Sequence, residues 1–291
     1  MQESNSRKSI WNIVEIVIIV LLCAFVLLAD FVKLTYVQDA LKNAMISKTV
    51  QQFSGAVAAI LIMRRLDVNL FGKPQQFLYV IPCLIIAVDN FQFSSYFNGN
   101  LQLATNEPIN FVLFALYCLS VGLFEECIFR GILFSVLASQ FPKDKKGFLL
   151  TYVVSSLIFG AAHLSNGISL ATLWQVGYTI LTGGLFAFCL IKTKNILCCG
   201  LVHAIYNFCG LLFTKFDAVT GTLGLGTGVV FDTGTVITML VVSLIVGAFV
   251  LYKVFTYTDA ERACLYEKLG VKLEIEEAKT DDETEKEGES L

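Results

Sequence analysis

Two histidines occur in the chain, and both sit in apolar runs beside other polar groups. His163 ends the run Phe159-Gly160-Ala161-Ala162-His163. His203 opens the run His203-Ala204-Ile205-Tyr206-Asn207. A third run, Phe124-Glu125-Glu126-Cys127-Ile128-Phe129-Arg130, holds two adjacent carboxylates and a guanidinium. Carboxylate, imidazole and amide groups gathered in a place shielded from water are the parts needed for proton transfer and for stabilising a developing negative charge. An ionisable side chain at bilayer depth is costly and persists mainly where it faces protein or a water-filled cavity. Taken singly, each has a plain reading: a hydrogen-bonded core histidine, a structural ion pair, a buried acid. Their joint presence in three apolar segments favours a functional site.

If these segments are helical, spacing sorts the residues. Neighbours on a helix point about 100° apart. Glu126 and Arg130 stand at i,i+4 and pair on one face, which neutralises one carboxylate and leaves Glu125 to point elsewhere. His203 and Asn207 stand at i,i+4 as well, so both face one cavity, and Phe159 lies one turn before His163 and packs beside its ring.

The elements that must carry these residues are membrane helices. Of 291 residues, 56% are hydrophobic and only 15% are charged, where a soluble domain has about 25%. Mean hydropathy is +0.70. The expected fold class is all-α, a polytopic integral membrane protein of about eight transmembrane helices. They fall near 10–29, 45–63, 77–96, 109–139, 148–165, 170–191, 196–214 and 234–256, each near the 20 residues that cross a hydrocarbon core. The first, preceded by Arg7 and Lys8, is read as an uncleaved span rather than a signal peptide. The fourth is too long for one upright helix and must tilt, kink or protrude. Pro108 is its expected first helical residue, and Pro142 marks the loop beyond its end.

Basic residues alternate from connection to connection. Arg7 and Lys8, then Arg64, Arg65 and Lys73, then Lys143, Lys145 and Lys146, then Lys192 and Lys194, then Lys253 and Arg262 fall on one side. The expectation is both termini in the cytoplasm, in a bacterial cell membrane. Counted at 1.5 Å per residue, His163 falls toward the outer end of its span, roughly 10 Å from the level of Glu125. The net charge of −3 hides an asymmetry. Residues 257–291 hold twelve acids and five bases, −7, so the rest of the chain carries +4. That excess lies as islands between apolar runs, and no nucleic-acid face is indicated. Nine cysteines without a CxxC spacing read as small buried hydrophobes, and no function attaches to the vicinal pair Cys198-Cys199.

Four regions result: N-terminal helices over 1–108, a core over 109–214, a Gly-rich loop and last helix over 215–256, and an acidic tail over 257–291. Residues 217–234 read as a flexible connection. The tail begins with an amphipathic helix, Ala260–Leu269, and ends in a solvated charged run, Asp281–Glu289.

The pattern Glu125-Glu126…Arg130, then Phe159…His163, then His203…Asn207, on successive membrane helices, resembles that of the CAAX prenyl protease type II and bacterial Abi (CPBP) family, over roughly residues 110–210. The resemblance implies an intramembrane endopeptidase that cleaves a peptide or membrane-associated protein tail. It implies Glu125 as general base on a water, and His163 as the positioner of water or substrate. It further implies His203 and Asn207 as oxyanion stabilisers, with Glu126 and Arg130 holding the helix and tuning Glu125. Two His, a Glu and an Asn also suit a divalent metal such as zinc, with His163 and His203 as possible ligands; glutamate and water alone explain the same residues. The expected partners are a peptide or protein substrate and the lipid bilayer. Two other readings use the same residues: a non-catalytic scaffold or bacteriocin-immunity protein on this fold, and a transporter using the polar cluster as an ion path.

Overall fold

A computed structural model describes residues 2–32, 34–166 and 168–272. Among the described residues the regular structure is helical, and strand-like pairing is confined to isolated bridges. The helices are α1 (Gln2–Val32), α2 (Ala40–Arg65), α3 (Val80–Asp89), α4 (Phe93–Phe97), α5 (Pro108–Glu126), α6 (Phe134–Gln140), α7 (Lys145–Ala162), α8 (Leu170–Thr193), α9 (Ile196–Leu211), α10 (Thr233–Phe255) and α11 (Asp259–Lys268). Their starts follow capping chemistry. Asp39, Asp144, Ser169, Asn195 and Asp232 each accept a backbone N–H of the first turn, which satisfies a donor that a helix start leaves unpaired. Pro108 occupies the first turn of α5, where its missing N–H costs nothing.

The chain is an integral membrane protein by its apolar helices. Five courses are long and apolar enough to cross a bilayer: Ala40–Arg65, Pro108–Gln140, Lys145–Ser165, Thr172–Thr193 and Thr233–Phe255. Three further apolar stretches, Val14–Ala29, Phe77–Asp89 and Ile196–Leu211, are shorter. The eight expected segments are therefore all helical, five of them at full spanning length.

The over-long fourth segment is one helical course from α5 through α6, joined by a π-helical turn over Cys127–Leu133. Such a turn inserts one extra residue into the helix and shifts the register of the residues beyond it. It begins immediately after Glu126 and contains Arg130.

The third segment departs from expectation. It is not one span over 77–96; α3 ends at Asp89, and the chain turns at Gln92, whose φ is +61°, before the short α4. The cause is tertiary. Asn90 Nδ2 donates to the Tyr206 carbonyl of α9 at 3.0 Å. Ser95, at the start of α4, donates its N–H to Thr235 of α10 at 3.0 Å.

Residues 217–234 are likewise pinned rather than a free connection. Leu223 and Leu225 are buried. Ala104 N–H donates to the Leu225 carbonyl at 2.7 Å, and Thr227 N–H to that of Gln102 at 3.1 Å. The expected amphipathic helix is α11, which buries Leu265 and Tyr266. The charged run Asp281–Glu289 lies outside the described residues.

The larger core gathers around the second half of α8, where Leu185 through Ile191 are all buried, with α3, α9, α10 and α11 packed about it. α5 runs along α9, and α7 along α8. At the α5–α9 crossing the backbones nearly touch. A Cβ on Gly122 would stand 2.5 Å from the Gly200 carbonyl oxygen and 2.9 Å from the Ala204 nitrogen. Only glycine permits that approach, and it lies one turn before Glu125 and Glu126.

Candidate active site

α5 supplies the carboxylates, and they part as spacing predicts. The Glu126 side chain is fully buried, whereas that of Glu125 is 27% exposed. Glu126 Oε2 stands 3.2 Å from Arg130 Nε. The two charges face each other without hydrogen-bond alignment, and Glu126 Oε2, Arg130 Nε and Arg130 Nη1 have no hydrogen-bond partner among the described residues. Arg130 is held by other means. Its Nη2 donates to the Gly183 carbonyl of α8 at 2.7 Å. Its guanidinium carbon lies 4.3 Å from the centre of the Phe159 ring, a cation–π contact of about 0.5–2 kcal/mol.

α9 brings His203 into the same place. Its Nδ1 stands 2.9 Å from Glu126 Oε1, and its Nε2 stands 3.8 Å from Glu125 Oε2. The imidazole stacks on Phe186 of α8, with centroids 4.5 Å apart and planes at 21°. One buried imidazole thus spans both carboxylates, and an aromatic face limits its rotation. The close α5–α9 approach at Gly122 allows this contact between residues 77 apart in sequence.

His163 ends α7 and does not join that contact. Its Nδ1 lies 3.0 Å from the Phe159 carbonyl oxygen one turn back. Phe159 is the link, with its ring 5.3 Å from the His163 ring and 5.9 Å from the His203 ring. The expected offset in depth is therefore present. His163 stands at the end of its helix and reaches the carboxylate level through an aromatic intermediary. Asn207, one turn beyond His203, is half-buried, and its amide has no hydrogen-bond partner among the described residues.

Sequence reasoning missed three contributors. Phe186 braces His203, the Gly183 carbonyl anchors Arg130, and Phe159 serves both histidines as well as Arg130. Phe186 is one apolar residue among many in a span and carries no signal by type. The pair Gly183-Gly184 is visible as a small-residue site, but nothing in the sequence says which side chain uses its carbonyls; Tyr152 donates to that of Gly184 at 2.7 Å.

Among the described residues no three His, Cys, Asp or Glu side chains gather closely enough to share a metal ion. His203 has one nitrogen engaged by Glu126, and His163 stands apart, tied to Phe159. These residues do not fit a three-ligand zinc centre. What they can do is proton chemistry: a partly exposed carboxylate beside a braced imidazole, an uncommitted amide one turn away, and a buried charge pair behind them.

Known proteins resemble this part of the chain. Residues 107–209 match the family model described as type II CAAX prenyl endopeptidase Rce1-like. The chain is 31% identical over 121 residues to CAAX prenyl protease 2 of Saccharomyces cerevisiae. That match covers 34% of this chain and 38% of the yeast protein. No solved structure matches the chain.

Proposed function

We propose that this chain hydrolyses peptide bonds within the membrane, on the premise that its residues 107–209 belong to the type II CAAX prenyl endopeptidase (CPBP) family. The observation that carries the reading is the spacing of two acid–base groups: Glu125, partly exposed, 3.8 Å from the buried His203. A carboxylate set beside an imidazole, with only partial access to water, is placed to act as a general base.

Glu125 takes a proton from a water as the water oxygen attacks the scissile carbonyl carbon. The tetrahedral intermediate collapses as the carbon–nitrogen bond breaks, and the Glu125 proton passes to the leaving nitrogen. The Asn207 amide donates to the oxyanion, an interaction that strengthens as charge develops. His163, at the end of α7, orients the substrate. No step is routed through a metal.

The substrate class follows from the relative's name. A peptide ending in the CAAX pattern and carrying an isoprenoid on its cysteine would enter from lipid, which suits a site borne on membrane helices. The Lys and Arg distribution sets both termini in the cytoplasm, where such tails reside. The test is cleavage of a prenylated CAAX peptide in proteoliposomes. Glu125→Gln is expected to lower the rate by at least about 10²-fold while helical content and insertion stay as in the wild type. Unchanged cleavage by that variant would sink the reading.

A further inference from the structure

Both histidines are anchored through the same ring nitrogen. His163 Nδ1 faces the Phe159 carbonyl oxygen at 3.0 Å. A carbonyl only accepts, so that nitrogen carries the hydrogen and Nε2 bears the lone pair. His203 Nδ1 faces Glu126 Oε1 at 2.9 Å, and the other oxygen of that carboxylate is ion-paired with Arg130 at 3.2 Å. A carboxylate in an ion pair also only accepts, so the same tautomer holds for His203.

The bare nitrogen of His203 faces the second carboxylate. Nε2, without a hydrogen, stands 3.8 Å from Glu125 Oε2. Two acceptors that far apart make no hydrogen bond with each other. They are spaced for one water that donates a hydrogen to each, with legs of about 2.8 Å. Phe186 holds the ring in that orientation.

We propose that Glu126 is a positioning residue: it fixes His203 as the Nδ1–H tautomer, so that His203 Nε2 and Glu125 Oε2 together hold the attacking water. The proposal rests on the peptidase reading and changes one role within it. An Nε2 without hydrogen cannot donate to an oxyanion, so His203 serves the water and Asn207 serves the oxyanion. As the water oxygen bonds to the carbonyl carbon, one hydrogen passes to Glu125 as a proton. The second stays on that oxygen, hydrogen-bonded to His203 Nε2. When the carbon–nitrogen bond breaks, Glu125 returns its proton to the leaving nitrogen.

The chain's two histidines make the tautomer measurable. The full-length protein is labelled with ¹⁵N-histidine in proteoliposomes, and His163→Ala identifies the remaining signal as His203. The expected result is a protonated Nδ1 and a bare Nε2 at His203. Glu126→Gln is expected to abolish that pure tautomer and lower kcat about 10²-fold, with KM on the prenylated peptide within about twofold. Glu126→Asp, which keeps an acceptor, is expected to retain the tautomer and recover part of kcat. An Nε2–H form in the wild type overturns the proposal. So does Glu126→Gln with an altered tautomer and wild-type kcat, and so does a lost kcat with the tautomer unchanged, which marks a purely structural role. If Glu126→Gln fails to fold, the wild-type spectrum and Glu126→Asp decide. A wild-type protein that cleaves no peptide overturns the peptidase reading and the shared water with it, while the spectrum still decides whether Glu126 sets the tautomer.

Discussion

Arg130 is buried to 1% exposure and is the cation on which the site's polar groups depend. It neutralises Glu126, reaches the Gly183 carbonyl and rests on the Phe159 ring. Removing one member of a buried pair leaves the other charged and desolvated, at about 3–5 kcal/mol. Arg130→Met is therefore expected to destabilise the protein by about that much, read as a shift in the unfolding midpoint in detergent. Arg130→Lys should rescue only in part, because an ammonium lacks the planar fork that serves carboxylate, carbonyl and ring together. The i,i+4 pairing of Glu126 with Arg130 was legible in the sequence because it is local to one helix. The contact of Glu126 with His203 was not, because it joins residues 77 apart and arises from how two helices cross. Spacing alone left Glu126 with a single partner, whereas it has two.

The crossing itself is an element-scale device. Gly122 and Gly200 let α5 and α9 meet backbone to backbone, and the carboxylates and His203 stand at that level. A methyl on Gly122 meets backbone atoms of α9 at 2.5–2.9 Å, and backbone atoms cannot swing aside as a flexible side chain can. Gly122→Ala is expected to push the helices apart by a few tenths of an ångström or more, lengthening the contacts of His203 with both glutamates. The expected readout is a fall in kcat of about 10-fold or more, since small misplacements of reacting groups are costly. KM should change less. Wild-type kcat in that variant would mean that the α5–α9 distance does not govern the site. The glycines are plain in the sequence, but their pairing across helices is not. Nor was the π-helical turn after Glu126 legible: Cys127–Leu133 has no proline and no polar break, and only the excess length of the segment hinted at an irregularity. The break at Asn90–Gln92 was missed for a related reason. No glycine or proline marks it, and the bonds that impose it come from α9 and α10.

At the scale of the molecule, the membrane part was legible from hydropathy, and the alternation of Lys and Arg showed which ends of the helices lie together. The docking of the tail onto that basic end was not legible. The pattern of Ala260–Leu269 indicated an amphipathic helix, but no surface for it. In the structure α11 closes over the ends of α8 and α10. Tyr257 donates to the Ile191 carbonyl at 2.8 Å. Glu261 accepts from Lys192 at 2.8 Å, from Gln76 at 3.1 Å and from the Thr258 backbone N–H at 3.0 Å. Lys192 is itself buried, 4.7 Å from the centre of the Tyr257 ring. Burial pushes the Glu261 carboxyl up, but these hydrogen bonds and the Lys192 charge outweigh it and bring it down to about 2, below its ordinary 4.5. A group depressed on folding stabilises the folded state above its ordinary range, and that contribution is lost as pH falls through the folded value. The docking of α11 is thus expected to be at full strength at neutral pH and to weaken from about pH 4.5 down to about pH 2. Glu261→Gln should remove that part of the pH dependence and lower the melting temperature at pH 7, where the wild type has the full contribution. The comparison of interest is the difference between the two melting curves: it should shrink toward zero at the acid end. A difference that stays constant from pH 7 to pH 2 would show that Lys192 and Gln76 gain nothing from the charge on Glu261, and that α11 is held by Tyr257, Leu265 and Tyr266 alone.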